Sequence, residues 1–222
     1  MATAAFNSSV RVDGTSTAFT NEATTKLTAN TRYQITTAAK RLIDPAVAVV
    51  VEVDADGAGG GGYAVAPASS YTVDRLFGII TFAADQGASA LVRVSGNYLP
   101  VLTVAEVGEY QFTAQGDTLD ATSFGDTAKT KKQGLRDITG SLKLHSLITY
   151  DHDPGGTTRK FSDAFDAGTP VLLEISRGGK LFRAWVVLES HEASAGVADL
   201  LQTSLNFTGA SRGEGAAFGW EP

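Results

Sequence analysis

The chain has 222 residues, of which 43% are apolar, with 24 glycines, one methionine and no cysteine. This composition allows a packed core, and it excludes a disulfide scaffold, a thiol nucleophile and a cysteine-ligated zinc site. The formal net charge is −6, and residues 100–222 hold eleven basic against sixteen acidic side chains, so the basic footprint of a tight nucleic-acid-binding protein is missing.

Targeting segments are not evident in the sequence. Residues 1–14 lack the basic start and the apolar stretch of a signal peptide. No apolar run approaches the ~20 residues that a membrane-spanning helix needs. We therefore expect a protein that is made and used in soluble form, with no membrane partner.

The first half of the chain is predicted to form short strands. Valines alternate with other residues over 46–54, and a glycine-rich turn follows over 54–62. Strands are also predicted at residues 32–36, 71–84 (hinged at 74–78) and 90–96, with a helical turn over 36–44 before Pro45. Short strands at this spacing are typical of a small sandwich or barrel. We place a domain boundary near Pro100, which would interrupt a β-ladder; residues 1–99 are then an N-terminal β-rich accessory domain and residues 100–222 a second domain.

The second half shows a clearer alternation, typical of antiparallel strands with one wet face. Strands are predicted around residues 110–115, 139–146, 182–189 and 201–207. Two of them carry uncharged polar residues on their wet faces: Gln111, Thr113 and Gln115, and Gln202, Ser204 and Asn206. One short helix is predicted over 160–168, with Ser162 as N-cap and Gly168 as the stop.

Residues that could carry catalysis are few. The triplet 151-DHD-153 could ligate a metal or pair a base with its orienting group, but it precedes 154-PGG-156 and is more typical of a solvated turn. The acidic turn 54-DADG-57 lacks the further carboxylates of a calcium loop, and no Lys-Ser/Thr pair follows the glycines at 57–62. We therefore expect no enzymatic activity and no cofactor, and keep a metal-dependent enzyme centred on 151–153 as one alternative.

The passage 120-DATSFGDTAKTKKQGLRDITGSL-142 separates two of the predicted strands. Loops longer than about 12–15 residues are usually functional or disordered. Its lysines have no interleaved aromatic residues on which bases could stack. We therefore expect these lysines to meet carboxylates of the same chain or of a copy.

Residues 117–142 contain the string D-T-x-D-A-T-S-F-G-D, a basic polar stretch and G-L-R-D-x-T-G-S-L, which together resemble the major tail (tail tube) proteins of long-tailed bacteriophages. The order of elements over roughly 108–210 is similar as well. The resemblance implies a mainly β fold: an antiparallel β-sandwich or barrel tail-tube domain with one short α-helix, preceded here by a small all-β domain.

The resemblance also implies a role and partners. The subunit would form homohexameric rings that stack into a hollow tube around the tape measure protein, bounded by the tail terminator and by distal tail or baseplate proteins. DNA would pass through the bore transiently and without specific contacts at ejection. The protein would be assembled in the host cytoplasm and reside in the virion.

Site residues follow from the same resemblance. Residues 118–138 would be a ring-stacking loop, with Phe124 as an anchor and Gly125 as a turn. Inter-subunit charge pairs would use Asp126, Lys129, Lys131, Lys132, Arg136 and Asp137. The two uncharged polar runs would face the lumen, and the aromatic residues Phe218 and Trp220 of the tail would dock on a neighbouring subunit.

A second alternative is a phage decoration or adhesion module that binds a host surface glycan. Such a module would present an exposed cluster of Trp or Tyr side chains. The sequence offers scattered tyrosines at positions 33, 63, 71 and 98.

Overall fold

The computed structural model describes residues 9–59, 62–121, 128–129, 131–145, 160–177, 180–194, 202–212 and 217–221. These residues form fourteen strands, one α-helix and three single-turn 3₁₀ helices, so the predicted mainly β fold with antiparallel sheets is confirmed. The strands are β1 (Ser9–Asp13), β2 (Thr17–Thr28), β3 (Arg32–Ile35), β4 (Val50–Asp54), β5 (Ala64–Val65), β6 (Tyr71–Asp74), β7 (Ile79–Phe82), β8 (Leu91–Tyr98), β9 (Val101–Asp120), β10 (Lys131–His145), β11 (Val171–Arg177), β12 (Lys180–Ser194), β13 (Gln202–Gly209) and β14 (Phe218–Trp220). The helices are α1 (Lys160–Ala167) and the 3₁₀ turns Ala29–Thr31, Ala38–Lys40 and Ala68–Ser70.

The strands of the C-terminal half form a sheet that closes on itself. Its order is β11-β1-β9-β10-β13-β12-β14, and β11 also pairs with β12. Six antiparallel strands therefore make a barrel, and β14 adds to one edge of β12. Closure removes the free sheet edges that would otherwise invite pairing with other chains.

The interior of this barrel is apolar because alternate residues of each strand point inwards. Phe112, Phe182 and Phe207 lie within it, and the rings of Phe112 and Phe182 stack with centroids 4.6 Å apart. Ala164 of α1 packs against the same core. The further core residues are Val12, Ile138, Leu142, Val171, Leu173, Ile175, Ala184, Val186, Leu188 and Leu205, with Tyr110 and Phe218 packed against them.

A second sheet contains most of the N-terminal half. Its order is β5-β4-β8-β2-β3-β7-β6, with antiparallel pairing throughout. Strand β2 bends at a register shift between Phe19 and Glu22, where Asn21 has a φ of 53°, a backbone conformation that asparagine tolerates better than most residues. Its core contains Phe19, Tyr33, Ile35, Ile43, Val51, Ile80, Phe82, Val92 and Val94.

The two sheets join through a third apolar cluster. The turn between β6 and β7 carries Leu76 and Phe77 onto Leu172 and Trp185 of the barrel. Gly78 ends this turn with a φ of 61°, and a Cβ there would lie 2.9 Å from backbone atoms of Arg41. Leu42, Ile79 and Leu99 complete the cluster, with Val101 packed against it.

The predicted boundary near residue 99 stays a prediction, since no independent division of the chain tests it. The strand pairing changes sheets between β8 and β9, close to that position. However, β1 was counted in the N-terminal unit, whereas it pairs with β9 and β11 of the barrel. Its buried residue Val12 belongs to the barrel core, so the N-terminal sheet unit of the structure is residues 17–98.

Three local predictions need correction. The passage 118–138 was predicted as a loop, but β9 continues to Asp120 and β10 starts at Lys131, so both of its ends are strand. Ser162 was predicted as an N-cap, but α1 already begins at Lys160; Gly168, with a φ of 60°, does follow its last residue. The face of β12 that contains Arg183 and Trp185 was predicted to be exposed to solvent. Both side chains are buried instead, because the N-terminal sheet covers them.

The described helices include none that is long and apolar enough to cross a membrane.

Candidate assembly surfaces

A two-stranded arm extends from the barrel and contains most of the predicted assembly residues that the structure describes. Within the described residues, strand β1 pairs with β9 as far as Glu106, and β13 pairs with β10 from Thr139 onwards. Beyond those points the described parts of β9 and β10 pair with each other, ending at the pair Asp120–Lys131. Residues 113–120 are all exposed, on both faces of the strand. We call residues 114–120 and 131–137, which lie beyond the Thr113–Thr139 pair, the arm.

The arm forms strands although its sequence lacks apolar alternation. A ladder is held by backbone hydrogen bonds, and alternation arises where one face is buried. Both faces of the arm are exposed, so its sequence shows no period of two. This is why sequence reasoning assigned a loop there.

Charged residues are concentrated on the arm. Lys131, Lys132, Arg136 and Asp137 lie on β10 with exposed side chains, and Lys129 is exposed just before it. Lys131 stands opposite Asp120 in the ladder. The Asp137 carboxylate accepts a hydrogen bond from the backbone N–H of Ile138 at 2.7 Å. Phe124, Gly125 and Asp126 lie outside the described residues, and the inter-subunit role of the whole set stays a prediction.

Two leucines on the arm were missed by sequence reasoning. Leu119 is 59% exposed and Leu135 is 84% exposed. Leu135 lies within the register shift between Gln133 and Arg136, which takes it out of regular alternation. Their signal in the sequence was weak, since each is a single apolar residue in a polar passage. Together they give the arm apolar contact points besides its charges.

The uncharged polar residues share one outer face of the barrel. Ser141 of β10 pairs with Gln111 on one side and with Asn206 on the other, and Thr139 pairs with Thr113. Gln115 pairs with Asp137, Ser204 with Lys143, and Gln202 with His145. The two predicted runs, on distant parts of the sequence, therefore flank β10 on one face of the sheet, and we call this surface the polar face. That it lines a lumen stays a prediction.

The polar face contains a depression that is lined mainly by uncharged residues. A depression of about 330 Å³ lies between Gln111, Thr113, Ser141, Glu189 and Asn206. The Asn206 side-chain amide donates to the Ser190 hydroxyl at 2.8 Å. At one end Lys143 and Glu109 form an exposed ion pair at 2.8 Å, and the hydrogen bond from Lys143 lowers the pKa of Glu109.

Gly140 is required for the close packing beneath this face. A Cβ at this position would lie 2.4 Å from the Gln111 carbonyl oxygen and 2.6 Å from Cζ of Phe207. The Phe207 ring therefore occupies the space that a side chain would need. The glycine of the 139-TGSL-142 segment is thus explained by barrel packing.

Phe218 and Trp220, predicted to dock on a neighbouring subunit, lie in β14 and pair with β12 of their own chain. The Trp220 ring lies 5.2 Å from Phe182 and remains 46% exposed. Next to it, Glu221 pairs with Arg41 of the N-terminal sheet unit at 2.8 Å. Docking on a neighbour stays a prediction, and it would use the exposed side of Trp220.

A buried charge network connects the barrel to the N-terminal sheet unit, and sequence reasoning missed it. Glu174 of β11 accepts from Arg183 Nε at 2.6 Å and also pairs with Arg11. Arg183 donates in addition to the Leu76 carbonyl oxygen and lies 5.5 Å from the centre of the Phe77 ring. Glu174 and Arg183 are almost fully buried. On β11 and β12 these residues looked like an ordinary wet face.

The possible metal triplet 151–153 lies outside the described residues. Within the described residues, no group of three or more His, Asp or Glu side chains is placed to hold a metal ion.

Comparisons with known proteins give a partial structural likeness. No family model and no curated protein matches the chain. Among solved structures, a chain from "Virion of native gene transfer agent (GTA) particle" is 12% identical with a TM-score of 0.40, covering 55% of this chain and 89% of that one. A chain from "Tail of empty GTA particle computed with helical refinement, C6 symmetry" has the same identity and TM-score, covering 55% and 87%. A likeness of this size does not by itself assign a function.

Proposed function

We propose that this protein is a phage-type tail tube subunit that assembles into stacked hexameric rings around a hollow bore. The observation that carries the proposal is the arm. It extends about 25 Å beyond the rest of the barrel, given roughly 3.4 Å per residue in a strand. The hexameric ring, the tape measure protein in the bore and the proteins at the tube ends are what the resemblance of residues 117–142 implies.

The arm is built for contact with another molecule. An isolated two-stranded ribbon is marginally stable in water, and unpaired strand edges template pairing with other chains. The arm combines such edges with charges of both signs and with the exposed side chains of Leu119 and Leu135. A second copy of this chain supplies both apolar and charged surface of matching kinds.

The geometry favours a repeating assembly over a closed pair. A projecting arm can reach the barrel of the next copy, which is a surface different from itself. Contacts between two different surfaces of one protein generate rings or open stacks. A tube is a stack of rings and therefore uses contacts within each ring as well as contacts between successive rings.

The polar face fits the bore of such a tube. Its depression is lined mainly by uncharged residues, including Gln111, Thr113 and Ser141, with Glu189 as an acidic member. Strong binding of DNA depends on basic contacts to phosphate. A surface without a basic stripe would let DNA pass without being held.

The role of the arm in assembly can be tested by replacing an exposed leucine with a charged residue. Leu135→Asp is expected to abolish rings and tubes in electron micrographs of the purified protein, because it places a charge in an apolar contact while leaving the monomer intact. The matched control is Leu27→Asp, since Leu27 is 40% exposed on the N-terminal sheet unit; it is expected to assemble. Wild-type protein that stays monomeric, or normal tubes from Leu135→Asp, would refute the proposal.

The tyrosines do not favour the adhesion alternative. Tyr33 is buried, and Tyr71 packs against Phe82 in the core of the N-terminal sheet. Tyr98 packs against Phe19. The guanidinium of Arg93 lies 4.0 Å from the centre of the Tyr63 ring. These four side chains therefore form no shared open platform for a sugar.

A further inference from the structure

We infer that the N-terminal sheet unit, residues 17–98, lies on the outside of the assembled tube, away from the bore. This inference rests on the proposed function and assigns a position to the part of the chain that the resemblance does not cover. The unit would then form the outer surface of the particle, available to solvent and to partners along the whole tube.

The strand order of the barrel determines which strands lie opposite each other. Around the closed sheet, β10 is three strands from β11 by way of β1 and β9, and also three strands by way of β12 and β13. The two strands therefore lie on opposite sides of the barrel. Any structure that covers the outer face of β11 is remote from the outer face of β10.

The outer face of β11 and β12 is covered by the N-terminal sheet unit, whereas the outer face of β9, β10 and β13 is open among the described residues. On β11 and β12 the outward residues Leu172 and Trp185 are at most 3% exposed, because Leu76 and Phe77 of the N-terminal sheet unit pack on them. On β9, β10 and β13 the outward residues form the polar face, which the described residues leave open. The N-terminal sheet unit and the polar face are thus on opposite sides of one barrel.

The joint is rigid enough to keep this arrangement during assembly. It contains an apolar cluster, and the buried Arg183, which is held by Glu174 of the barrel, donates across it to the Leu76 carbonyl. Arg41 adds a further link to Glu221 at the end of β14. A swing of the unit around the barrel would take the Leu76 carbonyl away from the buried Arg183 guanidinium. Leaving a buried polar group without its partner is costly, so such a swing would be opposed.

A subunit in a ring turns one side towards the axis. If the polar face is turned inwards, the opposite side faces outwards, and the N-terminal sheet unit with it. Exposed side chains on this unit include Val50, Val65 and Leu91. These apolar residues differ from the uncharged amides and hydroxyls of the polar face, and their position outside the bore leaves the path of DNA unobstructed.

Because the chain has no cysteine, single cysteines can report which side is accessible. Val65→Cys places a thiol on the N-terminal sheet unit, where Val65 is 65% exposed. Thr113→Cys places one on the polar face, with Gln111→Cys as a second variant if the first does not assemble. Each is reacted, as unassembled protein and as tubes, with a maleimide that carries a long polyethylene glycol chain too bulky to enter the bore.

Both thiols are expected to react in the unassembled protein. In tubes, the thiol at position 65 should be labelled to the same extent, whereas the thiol on the polar face should lose its labelling. Loss of labelling at position 65, or retained labelling on the polar face, would overturn the inference while leaving the tube itself established. A protein that forms no rings or tubes would refute the proposed function, and the inference with it.

Discussion

Replacing Glu174 tests how much the buried charge network beneath the joint between the barrel and the N-terminal sheet unit contributes to stability. The Glu174 side chain is fully buried and that of Arg183 is 4% exposed, with 2.6 Å between Oε2 and Nε. Glu174→Leu leaves the Arg183 guanidinium buried without its carboxylate. Removing one partner of a buried pair costs about 3–5 kcal/mol. For a chain of this size, that corresponds to a fall in melting temperature of roughly 6–20 °C.

The double variant Glu174→Leu/Arg183→Met separates the network from simple packing. Well-packed apolar residues can replace a buried ion pair at little cost, so most of the loss is expected to be recovered. Arg11, whose side chain is 30% exposed, can turn its charge to water. The matched control is Glu109→Leu, which removes the carboxylate of an exposed pair with Lys143 and is expected to leave stability unchanged.

Urea denaturation of the unassembled protein measures these differences, with the fluorescence of Trp185 and Trp220 as one probe and circular dichroism as another. Coincident transitions would justify a single free energy of unfolding. A Glu174→Leu variant as stable as wild type would refute the reasoning. A double variant that is less stable than Glu174→Leu would refute it as well.

Three further outcomes are expected. Gly140→Ala should lower the free energy of unfolding by about 1–3 kcal/mol through overpacking, whereas Gly96→Ala, whose Cβ would meet its nearest neighbour at 3.6 Å, should be close to neutral in the same urea titration. Burial raises the pKa of Asp74, so its ionisation opposes folding and stability should fall as pH rises through the folded-state pKa; in Asp74→Asn this fall should disappear, and an unchanged pH profile would show that another group is responsible. Trp220→Ala should lower stability by about 1–2 kcal/mol through the loss of partly buried aromatic area against Phe182, measured by thermal melting, and an unaltered melting temperature would mean that β14 contributes nothing to the barrel.

The sequence was sufficient for the elements whose one face is buried. Alternation predicted β12 and β13, and the turn signals of residues 74–78 separated β6 from β7 as observed. Gly168 correctly marked the end of α1. The polar runs on β9 and β13 were also visible as alternation, because their partners in the period of two are apolar and point into the barrel. These are local consequences of one wet and one dry face.

Tertiary structure decided the rest, since the deciding contacts join distant parts of the chain. The arm shows no period because both its faces are exposed, so the sequence could not distinguish it from a loop. Alternation in the sequence places Arg183 and Trp185 on a solvent-exposed face, but in the structure the N-terminal sheet unit covers them. Strand β1 belongs to the barrel because Val12 completes a core formed by residues more than a hundred positions away. Closure of that barrel places the polar face and the N-terminal sheet unit on opposite sides, which no local pattern encodes.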